Sequence, residues 1–182
     1  MSKEGYKYLR ILETPVIKEQ HRQERLDFAG GHLDDRNWNK TFFLDESTFQ
    51  AFSKKRACYQ KPNQRIVKGK VKYPPKISLI AMISSRGASR LIFFEENMDA
   101  DLFLKFFKLL KEDADKLFPR GDYRIYMDND RKHRASVVKR YSREEGLDIP
   151  LDWPSCSPDI NPIENLWGLL SRELQKLTTQ TL

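Results

Sequence analysis

Apolar and polar positions alternate along the chain with a period that changes several times, and each change marks an element. Residues 38–47 are rich in aromatic and β-branched side chains (Trp38, Thr41, Phe42, Phe43) and predict a strand. Residues 77–83, Ile-Ser-Leu-Ile-Ala-Met-Ile, form a nearly continuous apolar run, the pattern of a strand buried on both faces. Gly87, within 84–89, predicts a hairpin turn into a third strand over 90–94. The period then lengthens. Leu102, Phe103, Phe106, Phe107, Leu109 and Leu110 recur at steps of three and four, which predicts an amphipathic helix over 99–118, stopped by Pro119 and Gly121. A fourth strand is expected over 123–127, a helix over 132–145, a short fifth strand over 147–151 and a final helix from Asn161 to about Lys176. Three strands, a helix, a strand, a helix, a strand and a helix make a mixed α/β fold around a central sheet.

Residues 1–36 are more polar, with few apolar positions. Thr14 is a candidate N-cap with Pro15 at the first helical position, predicting one surface helix over 15–29 that Gly30-Gly31 ends. This stretch reads as a linker or leader, and 37–182 as the main domain. A chain of 182 residues fits one domain. Two cysteines, Cys58 and Cys156, exclude a disulfide scaffold and a cysteine-rich zinc module. No apolar run approaches the ~18 residues of a membrane span, and no signal-peptide pattern opens the chain. The expectation is a soluble intracellular domain. Its 33 Lys and Arg against 26 Asp and Glu leave a net charge of +7, which favours a polyanionic partner.

Three acids stand out. Asp45 falls inside an apolar strand, where a carboxylate is costly unless something positive offsets it. Divalent cations such as Mg²⁺ or Mn²⁺ suit carboxylate oxygens. Asp128 closes the fourth strand, and open α/β sheets place their sites beyond strand ends. Glu164 lies in the first turn of the final helix. Each has a plainer reading: Asp45 as a solvent-facing residue on an edge strand, Asp128-Asn129-Asp130 as a turn, and Glu164 as partner to Asn161 in a capping box with Pro162 at the first helical position. Ile163, Leu166, Trp167, Leu170, Leu174 and Leu177 form one apolar stripe, and Glu164 lies roughly 100° from Ile163, at the border of that stripe.

The segment from Trp153 to Trp167, Trp-Pro-Ser-Cys-Ser-Pro-Asp-Ile-Asn-Pro-Ile-Glu-Asn-Leu-Trp, resembles the block around the last acid of mariner-like DDE transposases. Asp45-Glu46-Ser47-Thr48-Phe49 resembles their block around the first acid, and Asp128-Asn129 with His133 their block around the second. Arg25-Leu26-Asp27-Phe28-Ala29 is a weaker echo of the helix that precedes the first acid. The resemblance covers about residues 37–176. Two features depart from the pattern: 35 residues separate Asp128 from Glu164, slightly more than is usual, and Arg131 stands where relatives carry a proline. Relatives usually also have a pair of N-terminal helix-turn-helix domains, for which 1–36 has no room. The chain is therefore expected to be a catalytic core fragment or a short derivative.

The resemblance implies an RNase H-like fold, with a central mixed five-stranded sheet flanked by helices. It implies a metal-dependent transposase core that cleaves and joins DNA strands, with Asp45, Asp128 and Glu164 as catalytic acids holding two Mg²⁺ or Mn²⁺ ions ~3.5–4 Å apart and Asp45 bridging them. Asn129 and His133 would be accessory. Expected DNA contacts are Lys54, Lys55 and Arg56, then Lys68, Lys70, Lys72 and Lys76, then Arg131, Lys132 and Arg134, each cluster having a solvated basic face as its plainer reading. Trp153 and Trp167 are expected as core or loop anchors, and His21 and His32 as ordinary surface residues. The implied partners are transposon-end and target DNA and a second copy of the chain, without a membrane, in the nucleus. Two other readings remain: a domesticated DNA- or protein-binding module without catalysis, and an RNase H-like nuclease that cuts without joining.

Overall fold

The structure, a computed structural model, describes residues 17–50 and 75–180. The elements follow in the order α1 (Glu19–Gly31), β1 (Thr41–Gln50), β2 (Lys76–Ser84), β3 (Gly87–Ala88), β4 (Ile92–Phe94), α2 (Ala100–Leu117), β5 (Arg124–Tyr126), α3 (Ser136–Glu144) and α4 (Ile163–Gln180), with single 3₁₀ turns at Asn37–Lys40 and Pro158–Ile160. The sheet runs β3-β2-β1-β5, with β4 also paired to β2. β1 is antiparallel to β2 and parallel to β5, so the five strands make a mixed sheet as expected.

Strand alternation divides the core between two faces. Phe42, Leu44, Ile80, Met82, Ile125 and Met127 point to one face and pack under Phe103, Phe107 and Leu110 of α2 and Val138 of α3. Leu79 and Ala81 point to the other, beneath Ile163 and Trp167 of α4. Asp99 starts α2 by accepting the Leu102 amide at 2.8 Å. The stripe on α4 is shorter than its sequence suggests: Ile163 and Trp167 are buried, but Leu174 is 42% exposed because the helix has by then run past the sheet. The side chain of Leu177 lies outside the described residues.

Several predicted boundaries move, each for a local reason. Trp38 to Lys40 form a 3₁₀ turn rather than the start of β1, which begins at Thr41 and runs on to Gln50. The third strand splits into β3 and β4, because between them Ser89 Oγ takes the Met82 amide at 2.9 Å and the Arg90 amide turns away to Asp113. The fifth strand shrinks to one bridge between Asp148 and Arg124. Pro150 cannot donate to a ladder, and Leu151 is 70% exposed. The helix expected over 132–145 begins only at Ser136, since 131–134 forms a turn around Asp130. α1 begins at Glu19 with Lys18 as N-cap, and Thr14 and Pro15 lie outside the described residues.

α1 has no fully buried side chain, yet it is docked. Arg25 donates to both Asp159 oxygens at 2.7 and 2.6 Å, and Glu24 accepts the Ser155 amide at 3.1 Å. Phe28 meets Trp153 edge-on at 5.5 Å. Truncating Phe107 to Ala should lower the unfolding free energy by about 3–5 kcal/mol, measured by denaturant titration. A loss below about 1 kcal/mol would contradict its place at the centre of the α2 face.

Candidate active site

The parallel register between β1 and β5 sets Thr41 opposite Arg124 and Phe43 opposite Tyr126. Continued two residues, it places Asp128 beside Asp45, and neighbouring strands lie about 4.8 Å apart. β1 is interior to the sheet, so the edge-strand reading of Asp45 does not hold. Asp45 pairs across to Ala81, which packs under the foot of α4, where Glu164 sits in the first turn. Asn161 supports that turn by accepting the Ile163 amide at 3.3 Å, while the Glu164 side chain is exposed. Asn129 ties the second acid's loop to the segment leading to the third, donating to the Trp153 carbonyl at 2.8 Å.

The electrostatics connect the three acids. Burial pushes the Asp45 carboxyl up to about 7; the Glu46 amide, donating to it at 2.8 Å, opposes this, and the charges of Glu164, Asp128 and Glu46 add to the rise. Partial desolvation also raises Glu164. Asp128 goes the other way: burial raises it, but His133, the Asp130 amide and Lys132 outweigh burial and hold it below the usual value. The Asp130 amide donates to Asp128 Oδ1 at 3.0 Å, so Asp128 also closes a small turn, and the two readings of this residue coexist. Among the described residues, no three His, Cys, Asp or Glu side chains already enclose a single metal-holding point. The acids share one field rather than a closed cage.

The other expected site residues are distributed unevenly. His133 is buried and reaches Asp128. Lys132 is only 15% exposed and is engaged by Glu46 at 3.0 Å and Asp130 at 2.6 Å. Arg131 and Arg134 are exposed beside Asp128, and Arg134 also bonds Asn129. Lys76 is exposed at the start of β2. Lys54, Lys55, Arg56, Lys68, Lys70 and Lys72 lie outside the described residues. Trp153 and Trp167 are buried anchors as expected. His32 is not an ordinary surface residue: its ring stacks on Phe28 at 4.3 Å and meets the Tyr126 hydroxyl at 2.9 Å. Glu46 carried no signal except its place next to Asp45.

Comparison with known proteins gives a consistent result. The model of the DDE superfamily endonuclease family matches residues 40–181. The chain is 26% identical over 167 residues to the transposase of the transposable element Tc3 of Caenorhabditis elegans, covering 90% of this chain and 50% of that protein. It is 28% identical over 173 residues to the Tc1 transposase of the same organism, covering 90% and 63%. It thus spans only half to two thirds of these relatives. Among solved structures, the Mos1 transposase paired-end complex with left transposon end superposes with a TM-score of 0.77 at 15% identity, covering 94% of this chain and 54% of that one. The catalytic domain of Mos1 mariner transposase gives 0.66 at 15% identity, covering 90% and 76%. The fold is RNase H-like.

Asp45 is protonated more readily folded than unfolded, where a value near 3.9 is expected. Folding therefore binds a proton between about pH 4 and 7, and stability falls as pH rises through that window. Asp45→Asn removes this slope while keeping an acceptor for the Glu46 amide. In chelator-treated protein it should raise the melting temperature by about 2–4 °C at pH 7.5, on the order of 1 kcal/mol, and change nothing at pH 4. Equal melting temperatures at both pH values would contradict the buried charge.

Proposed function

Since the chain belongs to the DDE superfamily endonuclease family, we propose that it is the catalytic core of a DNA transposase, cleaving and joining strands by phosphodiester hydrolysis and transesterification. Asp45, Asp128 and Glu164 are its catalytic acids. One observation carries the reading: the parallel β1–β5 register and the foot of α4 bring Asp128 and Glu164, remote along the chain, into the field of Asp45 within the sheet. A domesticated module without catalysis has no use for that arrangement, and neither the family nor the relatives favour it.

The donor set is entirely hard carboxylate oxygen, which fits Mg²⁺ or Mn²⁺. Solved relatives include a Mos1 mariner paired end complex with Mn. Divalent ions held by the three acids, two in our reading, would supply activation of the attacking hydroxyl and neutralisation of the leaving oxygen. Asp45 would be one of the ligands, and a cation held there would offset both the burial and the neighbouring negative charges that raise its carboxyl. Asp128 arrives already ionised, held so by His133. Glu164, exposed at the foot of a helix, has the freedom to turn toward the other two. No side-chain nucleophile is needed, since water or a DNA 3′-hydroxyl attacks phosphorus directly.

DNA is the substrate and partner in this reading, gripped through its phosphates by exposed cations flanking the acids, Arg131 and Arg134 first. Action on paired ends calls for two copies of the chain, and in this reading the protein works in the nucleus. In this reading the catalytic domain spans 37–182, with α1 packed against it as a brace. No helix among the described residues is long and apolar enough to cross a membrane.

Incubation with Mn²⁺ and DNA bearing candidate transposon ends tests the reading. Joined products support it, cleavage without joining indicates a nuclease, and binding without cleavage indicates a non-catalytic module. Asp128→Asn should reduce cleavage by roughly 10³-fold or more, with the circular dichroism spectrum and DNA affinity retained; undiminished cleavage removes Asp128 from the mechanism. Each phosphate contact should add about −0.9 to the slope of log affinity against log salt, so a slope of about −3 or steeper is expected in a titration from 50 to 200 mM salt. A flat response rules out phosphate-dominated binding.

A further inference from the structure

Asp45 and Glu46 are adjacent on β1 and therefore point to opposite faces of the sheet. Asp45 faces α4. Glu46 faces α2 and the turn before α3, where its side chain is 19% exposed. There Glu46 Oε1 lies 3.0 Å from His133 Nε2, and Oε2 lies 3.0 Å from Lys132 Nζ. His133 is 1% exposed, packed 4.3 Å from the Phe103 ring. Its other nitrogen, Nδ1, is 2.8 Å from Asp128 Oδ1 and 3.3 Å from the Asp128 carbonyl. Oδ1 also accepts the Asp130 amide at 3.0 Å. One oxygen of Asp128 is thus occupied twice.

We propose that Glu46 is a positioning residue that fixes the Asp128 carboxylate through His133, so that Asp128 offers only Oδ2 to a divalent ion. This rests on the catalytic reading above. Both carboxylates only accept, so both imidazole nitrogens must donate, and the ring is held in the one orientation that satisfies both. Without Glu46 the ring loses its far anchor, and Asp128 its fixed pose. Lys132 completes the network by neutralising Glu46 from the solvent side. Groups that orient a metal-binding side chain typically matter 10- to 100-fold in metal affinity or activity.

The test compares Glu46→Ala with Glu46→Gln, since Gln removes the charge but keeps an oxygen for His133. Titration calorimetry on chelator-treated protein should show Mn²⁺ bound at least tenfold more weakly by the Ala variant and within about threefold of wild type by the Gln variant. Cleavage kcat should fall with the Ala variant while KM for DNA holds. Equal losses in both variants would assign the effect to charge and overturn the positioning role, as would no loss in either. If Glu46→Ala does not fold, as judged by circular dichroism, Glu46→Asp withdraws the acceptor by about 1.5 Å and is read in the same way. A crystal structure of the metal-free variant gives a reading independent of the metal: Asp128 and His133 should both be displaced, and an unchanged pose overturns the linkage. Wild-type protein that neither binds Mn²⁺ nor cleaves DNA would defeat the catalytic reading, while this displacement would still decide the role of Glu46.

Discussion

The structure turns on the cost of keeping a carboxyl group inside a sheet. Asp45 occupies a strand hydrogen-bonded to β2 along most of its length and flanked by β5 at its start, and burial, with the charges of Glu164, Asp128 and Glu46, pushes its carboxyl up. A purely structural strand would carry an apolar residue there and be more stable for it. The remaining features limit that cost or exploit it. The parallel pairing of β1 with β5 brings Asp128 alongside, α4 lowers Glu164 to the same edge, and the Glu46 amide donates to Asp45. In the proposed reading a bound cation would offset that cost, because ligand binding to the folded state shifts the equilibrium by mass action.

A second assembly keeps the three acid-bearing segments together. Phe28, Trp38, Phe43, Tyr126 and Trp153 form an aromatic cluster at the edge of the sheet. Arg124 lies over Trp38 at 4.7 Å and over Tyr126 at 5.2 Å, and is paired with Asp35 at 2.5 Å. Rings from α1, the turn before β1, β5 and the loop before α4 all meet here, so displacing any one loosens the path from Asp128 to Glu164. The Arg25–Asp159 fork extends the same tie to the loop from which α4 starts. α1 thus acts as a brace, although its own surface is almost entirely exposed.

The long periodic elements were legible in the sequence for direct reasons. The step-three and step-four run of α2 and the unbroken apolar run of β2 have only one way to bury themselves, and they formed where the pattern put them. Short segments were not legible, since their state depends on partners far along the chain. Residues 147–151 had strand composition but retained one bridge, and 132–135 had helix composition but turned inward, because Asp130 offered its carbonyl and carboxylate to the following amides. Lys132 looked like a phosphate contact from its neighbours Arg131 and Arg134, yet folding spent it on Glu46 and Asp130. His32 looked ordinary because nothing local to it reveals Tyr126, which lies more than 90 residues away.

By itself the sequence determined the family and the long periodic elements, and it singled out three acids as candidates, because these depend on residue type and local spacing. Only the tertiary structure decided how those acids are charged and supported. Protonation depends on burial and on the distances between groups brought together by folding, and the Glu46–His133–Asp128 link joins three residues spread over β1, the end of β5 and the turn before α3. Electrostatic interaction falls with separation in space and is indifferent to separation along the chain, so no pattern in the sequence could carry it.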